Sequence, residues 1–316
     1  MKKYITLIVL ALGVTFPIQA QYLFRKEDHE TLNAQIQRNM AIQKQIQSTL
    51  TIEVPVTKQY FTDEDEVHFN FANSARYRTR HHAPRYKSTV GCKAYALDDH
   101  WLIAGAVCLW NGRHTVHIKG KTYPTGLIEE DFSQTYLKVN GIEIPMDGNL
   151  FIQPRFTIAP HFMLVRVPQD SELAATVQKM PKINILGLAH TNPLNLEKGS
   201  FHVNTSRFGG DSARWRRLDT YDDTTHTITI KEHLEELSTL SNDPLLYVFQ
   251  DQVYWIGIND GIMLTFPNGK WDGKPSKSFV TFNDWDDFAF IQRTITEQDP
   301  AAWPRVTQRL FVDHVR

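Results

Sequence analysis

Residues 21–50 show the hydrophobic periodicity of a helix. The segment is rich in Gln, Glu, Lys and Arg, and residues 22–50 contain no Gly or Pro. At 100° per residue the apolar side chains fall within one face, which predicts an amphipathic helix. That face consists of Leu32, Ile36, Met40, Ile42, Ile46 and Leu50. Such a helix packs either on its own domain or against a partner helix, and both interpretations are open at this point.

A different pattern begins near Ser88, where short apolar stretches alternate with turn residues. Each stretch has the length of a β-strand, and their spacing is typical of a β-sandwich or a β-barrel. The predicted strands are Lys93–Leu97, Trp101–Val107, His114–Ile118, Phe162–Val167, Ile183–Leu188, Ser200–Asn204, Thr225–Ile230, Leu245–Phe249, Val253–Ile258 and Ser278–Thr281.

Three further segments have simpler patterns. Residues 51–84 lack strong periodicity and contain an acidic run at Asp63–Glu66 and a basic stretch after it, so we predict solvated connecting loops there. A helix is predicted over Asp284–Glu297, because its apolar residues share one side. Pro300 and Pro304 mark a short tail over residues 297–316.

The first twenty residues have the plan of a secretory signal peptide. Lys2 and Lys3 form a basic start, an apolar run extends from Ile5 to Val14, and Ala20 closes the segment. The apolar run is shorter than the roughly 20 residues that a membrane-spanning helix needs. We therefore predict cleavage after Ala20 and a secreted or periplasmic protein that does not span a membrane. Retention of the segment as an anchor is the alternative.

Composition narrows the classes of function. Lys and Arg number 34 and Asp and Glu number 35, so the chain has no excess of positive charge for binding nucleic acid. Two cysteines exclude a four-thiolate zinc site, and the 13 histidines form no His-Glu-x-x-His motif. We expect no metal and no cofactor, and a partner that is a protein or a peptide.

The segment between the two cysteines carries a resemblance. It reads Cys-Lys-Ala-Tyr-Ala-Leu-Asp-Asp-His-Trp-Leu-Ile-Ala-Gly-Ala-Val-Cys. It resembles the first catalytic block of trypsin-like (chymotrypsin-family) serine proteases, in which Trp-Val-Leu-Thr-Ala-Ala-His-Cys follows a strand and a turn. The spacing matches without a gap, and the family's Trp falls on Trp101. The resemblance implies a disulfide between Cys92 and Cys108. Where the family has its catalytic His, this chain has Val107.

Two more blocks follow in the family's order. Pro160–Val167 resembles the family's Asn-Asp-Ile-Ala-Leu-Ile-Lys-Leu strand and places His161 at the position of the catalytic Asp. Ser238–Leu245 resembles Gly-Asp-Ser-Gly-Gly-Pro-Leu and places Ser241 at the nucleophile. The Gly and Asp positions that flank the nucleophile are all changed, so the match rests on the order of the blocks.

The resemblance covers roughly residues 85–296 and implies an all-β fold of two packed six-stranded Greek-key β-barrels. We expect an added N-terminal helix, a C-terminal helix, and a hairpin around Gln250 and Asp251 after the third block. The expected domain order is a signal peptide over 1–20, a helix over 21–50, a connecting segment over 51–84, the double barrel over 85–296 and a tail over 297–316.

The substitutions change the chemistry that the resemblance implies. A serine hydroxyl needs an adjacent base, and in the family the His is that base while the Asp fixes its tautomer. Val107 cannot accept a proton. His161 stands one side chain further from the serine than the missing base, and it cannot stabilise an imidazolium.

The oxyanion hole and the specificity pocket are altered as well. The family's oxyanion hole uses the backbone N–H groups of the nucleophile, here Ser241, and of a Gly two residues earlier, here Thr239. A β-branched residue poorly tolerates the conformation that this Gly adopts. Glu235 falls at the pocket-base position, although the charged residues around it over Lys231–Glu236 favour a solvated acidic surface.

Three functional hypotheses follow. The first is a trypsin-like protein that has lost peptidase activity and acts as a binding or scaffold protein. The second is a serine endopeptidase with residual or unorthodox activity through Ser241. The third is an envelope or assembly protein that uses the helix of residues 21–50 to bind its partner.

Overall fold

The chain is mostly β-structure with a few helices. The computed structural model describes residues 26–60, 85–106, 109, 115–118, 121–129, 136–153, 162–187, 200–205, 212–216, 218–222, 227–231, 244–264, 275–282 and 286–311. The chain divides into two compact units, Met1–Ala41 and Ile42–Arg316.

The described residues form four α-helices and two nine-stranded sheets. The helices are α1 (Lys26–Gln47), α2 (Glu172–Lys179), α3 (Asp286–Gln298) and α4 (Trp303–Val306), and a 3-10 turn follows at Thr307–Arg309. The strands of the first sheet are β1 (Leu50–Tyr60), β2 (Arg85–Ala96), β3 (Trp101–Gly105), β4 (Thr115–Ile118), β5 (Lys121–Glu129), β6 (Tyr136–Val139), β7 (Ile142–Pro145), β8 (Leu150–Ile152) and β9 (Phe162–Arg166). The strands of the second are β10 (Asn184–Leu186), β11 (Ser200–Thr205), β12 (Ser212–Arg216), β13 (Leu218–Asp222), β14 (Thr227–Lys231), β15 (Leu245–Phe249), β16 (Gln252–Leu264), β17 (Pro275–Thr281) and β18 (Leu310–Phe311).

Antiparallel pairing runs through the first sheet. Its order is β4-β5-β1-β2-β3-β9-β8, with β6 added to β1 and β7 to β6. Strands β1 and β2 pair over ten residues. A tight turn joins β6 to β7 at Asn140 and Gly141, whose φ angles of 47° and 82° suit Asn and Gly.

The second sheet contains the hairpin that the sequence predicts. Its order is β12-β11-β15-β16-β17-β14-β13, and β10 joins it by parallel pairing with β16 and β18. Strands β15 and β16 are connected through Gln250 and Asp251, with φ angles of 47° and 63°. Positive φ at both residues is characteristic of the two-residue turns that close β-hairpins. The prediction of a hairpin at this place is confirmed.

Strands β3 and β9 are buried on both faces. Successive side chains of a strand point to opposite sides. Accordingly Leu102 and Met163 belong to the core enclosed by the first sheet, whereas Ile103 and Leu164 belong to a second core. Burial on both faces explains why these segments read as continuous apolar runs rather than as alternating ones.

The second core joins elements of both sheets and of α3. It includes Trp101 from β3, Leu246 and Trp255 from the second sheet, and Ile291 from α3. Aromatic rings make edge-on contacts within it, with 5.6 Å between the ring centroids of Trp255 and Phe282. Edge-to-face geometry of this kind adds to the stabilisation from burial alone.

Two segments contain more regular structure than their sequence patterns predict. Residues 50–60, most of which the sequence assigns to a connecting segment over 51–84, form β1. The burial of Ile52, Val54 and Val56 against the exposure of Thr51 shows the period-2 alternation of a half-buried strand. The tail predicted over 297–316 is also structured, because α4 and β18 lie in it and β18 pairs with β10.

The number of strands in each sheet also differs from the number that the resemblance implies. The resemblance implies six strands in each barrel, whereas each sheet has nine. Short added strands account for much of the difference: β6 and β7 in the first sheet, β10 and β18 in the second. The all-β character is confirmed, and closure of each sheet into a barrel stays a prediction.

Helix α1 confirms the predicted N-terminal helix and has two different halves. In the unit Ile42–Arg316, Ile46 is fully buried, and its carbonyl accepts a hydrogen bond from the Tyr95 hydroxyl at 3.1 Å. The Gln45 side chain donates to the Lys182 carbonyl at 3.3 Å. In the unit Met1–Ala41, by contrast, every residue from 31 to 41 is exposed.

Polar contacts tie the C-terminal segment to the β2–β3 turn. The Arg305 guanidinium donates to both carboxylate oxygens of Asp98, at distances from 2.7 to 3.3 Å. The indole N–H of Trp101 donates to Asp299 at 3.3 Å. The residues in these two contacts are 207 and 198 positions apart in the sequence.

Candidate functional site

Two of the predicted site positions are neighbours, in the sequence, of residues that pair at one end of β3 and β9. Gly105, the last residue of β3, is the register partner of Phe162, the first residue of β9. Val107 follows Gly105 by two residues, and His161 directly precedes Phe162. Val107 and His161 themselves lie outside the described residues. In the sequence, both positions therefore adjoin the same end of the β3–β9 strand pair.

The third block leads into the second sheet. Pro244 is buried and directly precedes β15, whose first residues Leu245 and Leu246 are also buried. Ser241 precedes Pro244 by three residues. Ser241, Thr239 and Glu235 all lie outside the described residues, so their predicted roles stay predictions.

Cys92 is buried at the centre of the first sheet. It lies on β2 opposite Ile52 of β1 and exposes 1% of its surface. Cys108 lies outside the described residues, so its pairing with Cys92 stays a prediction.

A buried polar pair lies at the start of β9, next to Phe162. The backbone N–H of Gln153 donates to the Phe162 carbonyl at 3.1 Å. The Gln153 side-chain nitrogen donates to Asp287 in the first turn of α3. Gln153 and Asp287 expose only 2% and 1% of their surfaces. Among the described side chains, the Gln153 amide oxygen is one of two buried polar atoms without a hydrogen-bond partner.

The sequence pattern gives no sign that Gln153 and Asp287 are buried. Asp287 reads as an ordinary acidic residue at a helix start, where it is favoured by the helix dipole. Gln153 directly follows the three-residue strand β8, which is too short for its periodicity to stand out. The only signal is that Asp287 shares the predicted helix with a strongly apolar side.

The described part of the chain contains few of the charged or metal-binding groups that mark an active site. There, no group of three or more His, Cys, Asp or Glu residues is arranged to hold a metal ion. The hydrogen bond with Asp98 raises the pKa of the Arg305 guanidinium, and burial raises the pKa of the Tyr254 hydroxyl. Neither residue belongs to the predicted catalytic set. No described helix combines the length and apolarity needed to cross a bilayer.

Comparisons with known proteins yield distant structural neighbours alone. No protein-family model matches the chain, and no curated protein matches it. Among solved structures, the protease of tobacco vein mottling virus has 10% identity and a TM-score of 0.32, covering 75% of this chain and 78% of that one. The HtrA-type protease AlgW with a decapeptide has 8% identity and a TM-score of 0.34, covering 82% of this chain and 66% of that one. Both TM-scores lie well below 0.5, so neither neighbour indicates the function of this chain.

Proposed function

We infer that the chain has a trypsin-like double-barrel fold and acts as a secreted or periplasmic binding or scaffold protein without peptidase activity. The observation that carries this proposal is the β3–β9 pairing of Gly105 with Phe162. A base at position 107 and an acid at position 161 would need to lie at the same end of two adjacent strands. The described strands meet that requirement, and the nucleophile block leads into the other sheet through Pro244.

The residues at these positions do not suit proteolysis. Val107 offers no lone pair to take the proton of Ser241 as the hydroxyl attacks a carbonyl. Loss of the base in a catalytic triad costs on the order of 10⁶ in turnover, nearly as much as loss of the whole triad. A neutral or protonated His161 cannot replace the carboxylate that orients and stabilises an imidazolium.

The donors for a developing oxyanion are also changed. Thr239 occupies the position of a Gly whose backbone conformation disfavours side chains with a Cβ atom. Loss of one oxyanion donor typically costs about 10² to 10³ in turnover. The base, its orienting acid and an oxyanion donor are thus altered together, which supports loss of function rather than tuning.

The remaining expectations belong to the same proposal. Residues 1–20 act as a cleaved signal peptide, and the exported chain carries a Cys92–Cys108 disulfide. The framework strands then present the loops around the former cleft to a protein or peptide partner, since binding residues concentrate on loops held by a rigid scaffold. In the resemblance, Glu235 falls at the pocket-base position.

A hydrolysis assay tests the absence of peptidase activity. The processed chain is compared with its Ser241→Ala variant on casein and on simple esters, and both are treated with a fluorophosphonate probe. We expect equal background rates and no labelling of Ser241. A rate above the Ser241→Ala control, or stoichiometric labelling at Ser241, would show an active serine endopeptidase instead.

A further inference from the structure

The first half of α1 carries an apolar stripe that stays exposed in the chain. Leu32, Ile36 and Met40 follow one another at intervals of four residues, so they lie along one face of the helix. They expose 45%, 37% and 60% of their surfaces. Six residues after Met40 in the same helix, Ile46 is fully buried. The apolar face predicted from the sequence is therefore covered at one end and open at the other.

Packing normally supplies the stability of such a helix. Isolated helices of about 12–15 residues are marginal in water even when their sequences favour helix. Residues 31–41 are exposed throughout, so this half of α1 gains little from packing within the described chain. A second surface that covers the stripe would both remove apolar area from water and hold the helix in place.

The charges along α1 indicate which surface complements it. In the sequence, residues 26–30 contain one Lys against two Glu and one Asp, a net charge of −2. Residues 37–47 contain Arg38 and Lys44 and no acidic residue, a net charge of +2. In an antiparallel pair centred on Ile36, residues 26–30 of each copy lie against residues 42–46 of the other, which carry Lys44, whereas a parallel pair sets like charges together.

A second copy of the chain supplies both the stripe and the opposite charges. We propose that the protein forms a two-fold dimer in which the α1 helices pair antiparallel through Leu32, Ile36 and Met40. In such an isologous contact the same patch serves on both copies. With the axis beside Ile36, Leu32 of one copy faces Met40 of the other, and the two Ile36 side chains meet.

Sedimentation equilibrium of the processed chain tests the dimer. The test variant carries Leu32→Gln, Ile36→Gln and Met40→Gln, since Gln keeps helix propensity while removing apolar contact. A matched control carries Ala34→Gln and Ala41→Gln on the opposite side of the helix. We expect a dimer for the unmodified chain and the control, and at least about 100-fold weaker dimerisation for the triple variant. Far-UV circular dichroism and the urea midpoint check that each variant folds.

Two results would overturn the proposal at this stage. The unmodified chain sediments as a monomer at all concentrations, in which case another segment or another protein covers the stripe. Alternatively, the triple variant dimerises as tightly as the control, in which case the contact lies elsewhere.

Single cysteines test the orientation of the helices. Under mild oxidation, Ile36→Cys should cross-link to itself, because only residues near the axis bring their Cα atoms within the roughly 7 Å that a disulfide spans. Leu32→Cys should not cross-link alone but should do so when mixed with Met40→Cys. Efficient self-linking of Leu32→Cys would show a parallel pair and contradict the proposed arrangement.

Discussion

Strand pair β3–β9 and the first half of α1 both carry apolar residues, yet these residues are buried in the strands and exposed in the helix. Ile103 is fully buried in β3, a strand whose two faces are both buried. Ile36 of α1, in contrast, exposes 37% of its surface. The first region belongs to the framework of the fold. The second contributes little to that framework and is free to serve a partner. The difference separates residues that maintain the fold from those that serve association.

The largest expected effect is the shortfall in peptide hydrolysis of a Val107→His variant relative to a working protease. We expect Val107→His alone to leave peptide hydrolysis far below that of a working protease. His161 would face the new imidazole where a carboxylate is needed, and replacing that carboxylate by a neutral amide costs about 10⁴ in the family template. Thr239 would still disturb the oxyanion donors. Steady-state hydrolysis with a Ser241→Ala background measures the rate.

The matched variant for this experiment combines Val107→His with His161→Asp. It should exceed either single change, because the carboxylate can orient and stabilise the imidazolium. If Val107→His alone reaches the rate of a working protease, the alignment of the second and third blocks is wrong. The true acid and nucleophile then lie elsewhere in the chain.

The next effect is a direct test of the framework. Ile103→Ala in β3 should lower the free energy of unfolding by about 2–5 kcal/mol, through lost burial and the cavity that remains in the second core. Urea unfolding followed by tryptophan fluorescence gives the value. A loss below about 1 kcal/mol would mean that the site collapses around the smaller side chain, and that β3 is less rigid than its burial indicates.

Sequence patterns predicted the framework better than the additions to it. Trp101–Val107 and Phe162–Val167 stand out as apolar runs because both faces of each strand are buried, and they correspond to β3 and β9. The apolar pattern misses strand β1 because its polar positions, including Thr51 and Glu53, break the run although the alternation is regular. Short strands such as β8 offer too few positions for any period to appear.

The candidate site was predictable only as a set of positions. Their order along the chain follows from the resemblance, and the described pairing of Gly105 with Phe162 supports the placement of two of them. The buried contact of Gln153 with Asp287 could not be foreseen, since 134 positions separate the two residues. Long-range polar contacts leave no periodic signal in a single sequence.

A smaller effect is expected where the framework is tied by charge instead of apolar packing. Asp98→Asn should cost about 1–2 kcal/mol, because the carboxylate is buried and accepts charged hydrogen bonds, while Arg305 is half exposed and keeps access to water. Lys138→Gln removes the exposed ion pair with Glu143 and serves as the control, with an expected cost below about 0.5 kcal/mol. Urea unfolding measures both. Equal costs for the two variants would contradict a stabilising role of the Asp98 contact.

The smallest effect is expected from the same substitution as in β3, placed on the exposed stripe of α1. Ile36→Ala should change the free energy of unfolding by less than about 0.5 kcal/mol when the chain is dilute, because the side chain is partly exposed and Ala is the better helix former. At concentrations that favour association, the same variant should be less stable than the unmodified chain, since it loses contact with the second copy. Urea unfolding at two protein concentrations distinguishes the cases. A large loss at both concentrations would show that Ile36 packs within its own chain, and the contrast between the two apolar regions would fail.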